Sequence, residues 1–237
     1  MGETLPAATC GQRPNISALT FARDGAQLLC RAARAALTEI DGVTASLPSD
    51  RAGIRLHGIA ALRTLLAPSG LVGSLAAGML GPACKPVRAI LFDKTPTTNW
   101  SLAWHQDRTI AVVRRKDIEG FGPWTVKSGW PHVAPPFELL AEMVTLRIHL
   151  DPVTEANAPL LIAPGSHRFG RVPERDIARV VQQCGVTACI ADAGDVWIYA
   201  TPILHASEAA TNPTHRRVLQ ADFAVGALPG GLEWLGI

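Results

Sequence analysis

At Val87 the apolar residues of this chain stop recurring at helical spacing and begin to alternate, and that change of period governs what it can fold into. Residues 87–92, 109–113, 143–150, 186–190, 195–199 and 217–225 each read as short strands, rich in β-branched or aromatic side chains. Turn sequences part them: Asp151-Pro152, Ala163-Pro164-Gly165 and Ala193-Gly194-Asp195. Short strands interrupted by a single helix, over 173–183, predict an antiparallel double-sheet barrel of jelly-roll type. Ahead of them the apolar spacing predicts helices over 18–40, 54–66 and 71–80, with Pro68 and Gly81-Pro82 as stops. The expected architecture is mainly β, with N-terminal helices packed outside the barrel. One domain is expected over 1–237, with a helical preface at about 15–82 and a β-core at about 87–226.

Between 114 and 136 no period holds. Gly120-Phe121-Gly122-Pro123-Trp124, Lys127-Ser128-Gly129-Trp130-Pro131-His132 and Pro135-Pro136 make a loop long enough to suggest a task. Its two tryptophans need something to pack on, so the expectation is a lid over a site.

Composition enters by what it excludes. With 48% apolar and 18% charged residues the chain can bury a core and is not of disordered type. A net charge of +2 and one basic cluster, Arg114-Arg115-Lys116, fall short of a nucleic-acid footprint. The most apolar segment, 71–80, is too short to span a bilayer, and the first residues carry no secretory pattern. Five cysteines (Cys10, Cys30, Cys84, Cys184, Cys189) without a Cys-x-x-Cys pair read as free thiols in a reducing compartment. Together these readings place the protein in the cytoplasm, acting on a small molecule rather than on nucleic acid or membrane. They leave its oligomeric state open.

Chemistry concentrates in Trp104-His105-Gln106-Asp107. Residues two apart on a strand share a face, so the His105 imidazole and the Asp107 carboxylate can grip one ion. His205, in Pro202-Ile203-Leu204-His205-Ala206-Ser207, is the best candidate for a third ligand. Two imidazoles and one carboxylate leave positions free on the ion, the facial triad of non-haem Fe(II) oxygenases. Arg216 and Arg217 follow, and only one of two adjacent strand residues can face inward. A guanidinium buried there needs an anionic partner, because leaving it unpaired is costly. A small dicarboxylate, held by the metal at one end and by arginine at the other, meets that need.

These stretches occur in order with Leu91-Phe92-Asp93-Lys94-Thr95-Pro96, Asn157-Ala158-Pro159-Leu160, Pro164-Gly165-Ser166-His167 and Gly194-Asp195-Val196. The set resembles the phytanoyl-CoA dioxygenase family of Fe(II)- and 2-oxoglutarate-dependent oxygenases, over roughly residues 89 to 225. The resemblance implies a double-stranded β-helix with iron on His105, Asp107 and His205. It implies the co-substrate carboxylate on Arg216, with Ser207 beside it. It further implies oxidation of an unactivated C–H bond by O₂, 2-oxoglutarate leaving as succinate and CO₂. Ala158 stands where many relatives carry Gly, which matters little to the metal.

Lys127, Trp130 and His132 in the lid, with Arg147 if its strand face is inward, are candidate substrate contacts. Such a wall suits a compact polar or amphipathic substrate bearing an acidic group better than a long acyl chain. His149 shares the Arg147 face and reads as a satisfied core histidine. His167 reads as part of a structural turn, His57 as a helix residue and His215 as a turn residue. Two rivals stand beside the hydroxylase reading. One is a halogenase of the same fold, disfavoured because Asp107 fills the position that such relatives open for halide. The other is a non-catalytic jelly-roll that binds a metal or ligand without turnover. A zinc hydrolase is weaker still, since no general-base carboxylate sits near the triad in sequence.

Overall fold

The computed structural model describes residues 16, 18–48, 50–211 and 215–237. Thirteen strands, numbered in chain order, form three sheets among these residues. The largest runs β1 (Ala26–Leu29), β11 (Val196–Ala200), β8 (Val144–His149), β13 (Arg216–Val225), β3 (Cys84–Lys94) and β2 (Gly53–Leu56), paired antiparallel throughout. A second sheet runs β10 (Thr187–Ala188), β9 (Leu160–Ile162), β12 (His205–Ser207) and β4 (Leu102–His105). The third runs β5 (Ile110–Ala111), β7 (Trp130–Val133) and β6 (Trp124–Lys127). The two larger sheets are the halves of a double-stranded β-helix, the jelly-roll that the alternating sequence predicts.

Register sorts the large sheet into two faces, because partners across a ladder point the same way. Arg216 pairs with Lys94, Val218 with Phe92 and His149, Gln220 with Ile90 and Arg147, and Asp222 with Arg88 and Thr145. Arg55 joins this face through Ile90. The residues between them, Leu91, Leu146, Ile148, Leu219 and Ala221, share the other face. There they pack on Ile40, Leu62, Leu66 and Ala76 from the helices Leu37–Thr44, Ala60–Leu66 and Gly73–Leu80. Each fully buried aliphatic side chain contributes about 1.5–3 kcal/mol. Stability is thus concentrated on the outer face, and the inner face can stay polar.

The helical preface is less helical than its spacing predicts. Residues 26–29 and 54–56, expected inside helices, belong to β1 and β2, the two edges of the large sheet. Four-residue segments are too short to separate a period of two from one of 3.6, and pairing with β11 and β3 decides. Arg31 at φ 56 and Gly58 at φ 77 turn the chain out of these strands. The helices Gly73–Leu80 and Ile177–Cys184 form where expected.

The segment 114–136, expected as a loop, is more regular than that. It folds into the β6–β7 hairpin, closed by Ser128 at φ 51 and Gly129 at φ 81, both left-handed as a two-residue type I′ connection requires. Trp124 packs with Ile110, Val112 and Leu140 in a cluster of its own. Leu235 N–H bonds to the Ala111 carbonyl and Trp234 bridges Val112, so the C-terminal residues pack back on the barrel.

Cys84, Cys184 and Cys189 are free thiols. Cys30 is disulfide-bonded, so the expectation of five free thiols fails there; an odd count does not exclude a bond. Cys10 and the residues bearing on a leader lie outside the described residues. No helix among the described residues is long and apolar enough to cross a membrane.

Candidate active site

Strands β4 and β12 bring the two imidazoles together. His105 and His205 are register partners, their ring centroids 4.3 Å apart at 58°. Asp107 follows two residues on, past the end of β4. One ligand atom from each of His105, Asp107 and His205 lies within 4.8 Å of the others, so a single ion can reach all three. Each ring is oriented by its own backbone. His105 Nδ1 sits 2.8 Å from the Ala103 carbonyl, and His205 Nδ1 2.9 Å from the Ile203 carbonyl. A carbonyl only accepts, so Nδ1 carries the proton on both rings and Nε2 keeps its lone pair for a metal. Burial, against the pull of Asp107, lowers His205 to about 4, so that ring is neutral at neutral pH.

The large sheet tunes the carboxylate. Arg88 on the inner face of β3 donates to Asp107 Oδ2 at 3.1 Å and also to Asp222. Burial alone would raise the Asp107 carboxyl, but Arg88, with His205, His105 and Lys127, outweighs it and holds the group at about 2. Asp222 moves the other way: burial pushes it up, Arg88 opposes, and the Asp107 charge adds to the rise. The two acids that share one guanidinium are thus moved in opposite directions, and the low value of Asp107 favours the ionised form that a metal would need. Two imidazoles and a carboxylate lining one cleft are a donor set that fits Fe(II), with positions left for a chelating co-substrate.

That cleft holds about 190 Å³, small beside the roughly 300–1,000 Å³ of sites that enclose drug-sized ligands. Its walls are cationic. Arg216 is inward and buried, its Nη1 donating to the Ala158 carbonyl and its Nε without a partner. Arg217 points out, to Asp151 and Asp41. Lys94 Nζ, opposite Arg216 in register, lies 3.2 Å from Ser207 Oγ and 4.8 Å from the Trp100 ring centre. Arg147 donates to Gln220 Oε1 at 2.8 Å and lies 5.3 Å from the Phe92 ring centre. None of Lys94, Arg147 and Arg216 has an acid partner among the described residues. Burial, then Arg216 and Arg147, lowers Lys94 to about 8; burial, then Arg147, lowers Arg216 to about 10.

The sequence-predicted residues divide accordingly. His105, Asp107, His205, Ser207, Arg216, Lys127 and Arg147 all line the cleft. Trp130 and His132 do not. Trp130 packs on His57, 5.0 Å between ring centres, and His132 is fully buried with Nδ1 on the Trp130 carbonyl. His149 departs from its reading as a satisfied core histidine, since neither ring nitrogen has a hydrogen-bond partner. Burial, then Arg147 and Arg216, keeps it neutral by lowering its pKa. His167 stays out of the metal site, its ring filling the space beside Gly25. His215 does more than turn the chain, meeting Asp93 Oδ2 at 2.9 Å. Sequence reasoning passed over Arg55, Arg88, Lys94 and Gln220. Lys94 and Arg88 share the parity of Phe92, a signal that becomes readable once the inner face is known.

A facial His–Asp–His site at the mouth of a double-stranded β-helix defines a non-haem iron oxygenase. The chain belongs to the phytanoyl-CoA dioxygenase (PhyH) family, whose model matches residues 20–218. The enzyme is accordingly a 2-oxoglutarate-dependent non-haem iron oxygenase, with Fe(II) and 2-oxoglutarate as its cofactor and co-substrate. Among solved structures it is similar to EctD from S. alaskensis, with a TM-score of 0.61 at 18% identity, covering 94% of this chain and 79% of that one. EctD is known with bound Fe, and with 2-oxoglutarate and 5-hydroxyectoine. SnoN, a non-heme alpha-ketoglutarate-dependent epimerase from nogalamycin biosynthesis, gives 0.61 at 14% identity over 92% of this chain and 90% of that one. AviO1 from Streptomyces viridochromogenes Tue57 gives 0.57 at 22% identity, over 94% and 99%. At these identities the likeness speaks for the fold. No curated protein sequence matches the chain.

Proposed function

We propose that the enzyme couples oxidative decarboxylation of 2-oxoglutarate, to succinate and CO₂, to oxidation of a C–H bond in a small polar or amphipathic molecule. The observation that carries this reading is the trio Lys94, Arg147 and Arg216, three buried cations without an acid partner among the described residues: the two arginines line the cleft of the His105–Asp107–His205 triad, and Lys94 lies against its wall residues Ser207 and Trp100. The triad would hold the iron, and the iron with its 2-oxo acid supplies the oxidant.

The chain supplies position and dryness. Arg216 and Lys94 take the far carboxylate of the co-substrate, a charge-assisted pairing that neutral donors would not match. Ser207 Oγ accepts from Lys94 Nζ, leaving its own proton to donate to that carboxylate. Phe92 and Trp100, 6.3 Å apart between ring centres, wall off the cations from water and strengthen the pairing. Asp107, kept ionised by Arg88, completes the ligand set and leaves no protein-vacated position for halide, which favours oxygenation over halogenation. The small charged cleft favours a compact polar substrate over a long acyl chain.

The test is consumption of 2-oxoglutarate by the Fe(II)-loaded protein in air with ascorbate. Slow succinate release alone, faster with a substrate that gains one oxygen, is the expected result. No consumption under these conditions, with the metal shown to be bound, would refute the reading and leave a binding protein.

A further inference from the structure

Two cations that line the cleft, Arg55 and Lys127, stand apart from the Arg216–Lys94 pair. Arg55 projects from the edge strand β2 on the inner face, and Lys127 reaches the same cleft from the β6–β7 hairpin. Neither has an acid partner among the described residues. Arg55 Nη1 donates to Ser128 Oγ at 3.2 Å, and its Nε is buried with no acceptor. Lys127 Nζ donates to Thr109 Oγ1 at 3.1 Å. The carboxylate whose charge reaches both is Asp107, which Arg88 already holds and which serves as a metal ligand. With a dication on it, Asp107 cannot also balance two further positive groups.

The pair is also separate from the co-substrate cations. Arg55 pairs with Ile90, and Lys94, with Arg216 opposite it, lies four residues further along the same strand. That is roughly 13 Å along the backbone. The hairpin holds the pair in place. Its turn residue Ser128 sits on Arg55, and the Trp130 ring packs on His57 just beyond β2.

We infer that Arg55 and Lys127 form a second oxyanion site, reached from the lid side of Asp107, and that the primary substrate carries a carboxylate or phosphate group bound there. The word substrate rests on the oxygenase reading above; the anion site does not. A planar guanidinium beside a mobile ammonium accepts either oxyanion, bidentate on arginine and as a point charge on lysine. The target carbon then sits between this anchor and the metal, so the enzyme selects compact acids.

The test titrates the full chain, loaded with Mn(II) and saturating 2-oxoglutarate, with inorganic phosphate and separately with acetate, read by tryptophan fluorescence. At least one arm should saturate, and whichever is tighter names the oxyanion. Binding should weaken at least about tenfold, or 1.4 kcal/mol, in the Arg55→Gln/Lys127→Gln variant. Absent binding, or equal binding in that variant, overturns the inference. Should the double variant fail to fold, Lys127→Gln on the hairpin must by itself weaken binding, and an unchanged affinity there overturns it equally. Binding of 2-oxoglutarate, measured first, judges the oxygenase reading separately: phosphate bound without it keeps the site and removes the co-substrate. In turnover, small acids should stimulate succinate release and their primary amides should not. Stimulation by the amides alone would overturn the substrate class.

Discussion

Alanine in place of Arg216 or of Arg217 should separate co-substrate binding from stability, because the two residues sit on opposite faces of β13. Arg216 is 3% exposed and has no acid partner among the described residues, and on the proposed reading a bound dicarboxylate would supply its counter-charge. Losing hydrogen bonds to a charged group is worth about 1.5–3 kcal/mol, which at 1.4 kcal/mol per decade raises KM for 2-oxoglutarate about 10- to 150-fold. Stability should hold, since the change removes a buried cation that lacks a partner. Arg217 is the reverse. It grips Asp151 through Nε and Nη2 at 3.0 and 2.8 Å, and Nη1 reaches Asp41 at 2.8 Å, tying the helix Leu37–Thr44 to the barrel. The Asp41 side chain is 48% exposed, so solvent screens that arm and the bidentate Asp151 arm carries most of the effect. A loss of about 1–2 kcal/mol follows, or about 2–8 °C in Tm for a chain of this size. Succinate formation against 2-oxoglutarate concentration and calorimetry read the two effects. A KM change at Arg217→Ala with none at Arg216→Ala would refute the face assignment and the co-substrate role together.

Three further outcomes are expected. Asp107→Ala should abolish turnover with the fold intact by circular dichroism, and chelation by EDTA should silence the wild type until Fe(II) is restored; full activity in Asp107→Ala would remove it from the triad. Arg88→Met should weaken metal binding about 10- to 100-fold by Mn(II) titration, and adding Asp222→Asn should restore lost stability without restoring metal affinity; recovery of both would make Arg88 a structural partner only. Lys94, lowered to about 8, binds an anion in its protonated form, so KM for 2-oxoglutarate should rise as pH climbs through about 8 and level off in Lys94→Met; a wild-type profile flat from pH 7 to 9 would remove Lys94 from the co-substrate site.

How much of this was legible in the sequence depended on segment length and on knowing which face is inside. β8 and β13 are six and ten residues long and alternate cleanly, so both were readable. β1 and β2 have four residues each, and apolar residues of β1 that suit a helix suit an edge strand as well. The clustering of His105 with Asp107 was readable because His-x-Asp needs only the parity of one strand. Arg55 was not, because its segment read as helix and gave it no inward direction. Lys94 and Arg88 lie on a strand whose neighbours are almost all apolar, and such a run does not say which face carries the pocket. The hairpin was hidden for a different reason: β6 and β7 hold four residues each, and Pro131 sits within the second.

The two faces of the large sheet also explain why a site this charged is tolerated. Arg88, Arg147, Arg216, Lys94 and Asp222 all lie buried on the inner face, and among the described residues Arg88 alone of these cations meets acids, Asp222 and Asp107. Burying the other cations works against folding. The same strands present Leu91, Leu146, Ile148 and Leu219 outward to the helices, each contributing about 1.5–3 kcal/mol on burial, and that layer carries the sheet regardless of the inner charge. Because the cations are fixed by strand register, they stand aligned before any ligand arrives, and little ordering is needed when one does. An apolar inner face would have made a more stable barrel. It would have had nothing with which to hold a dicarboxylate against a metal.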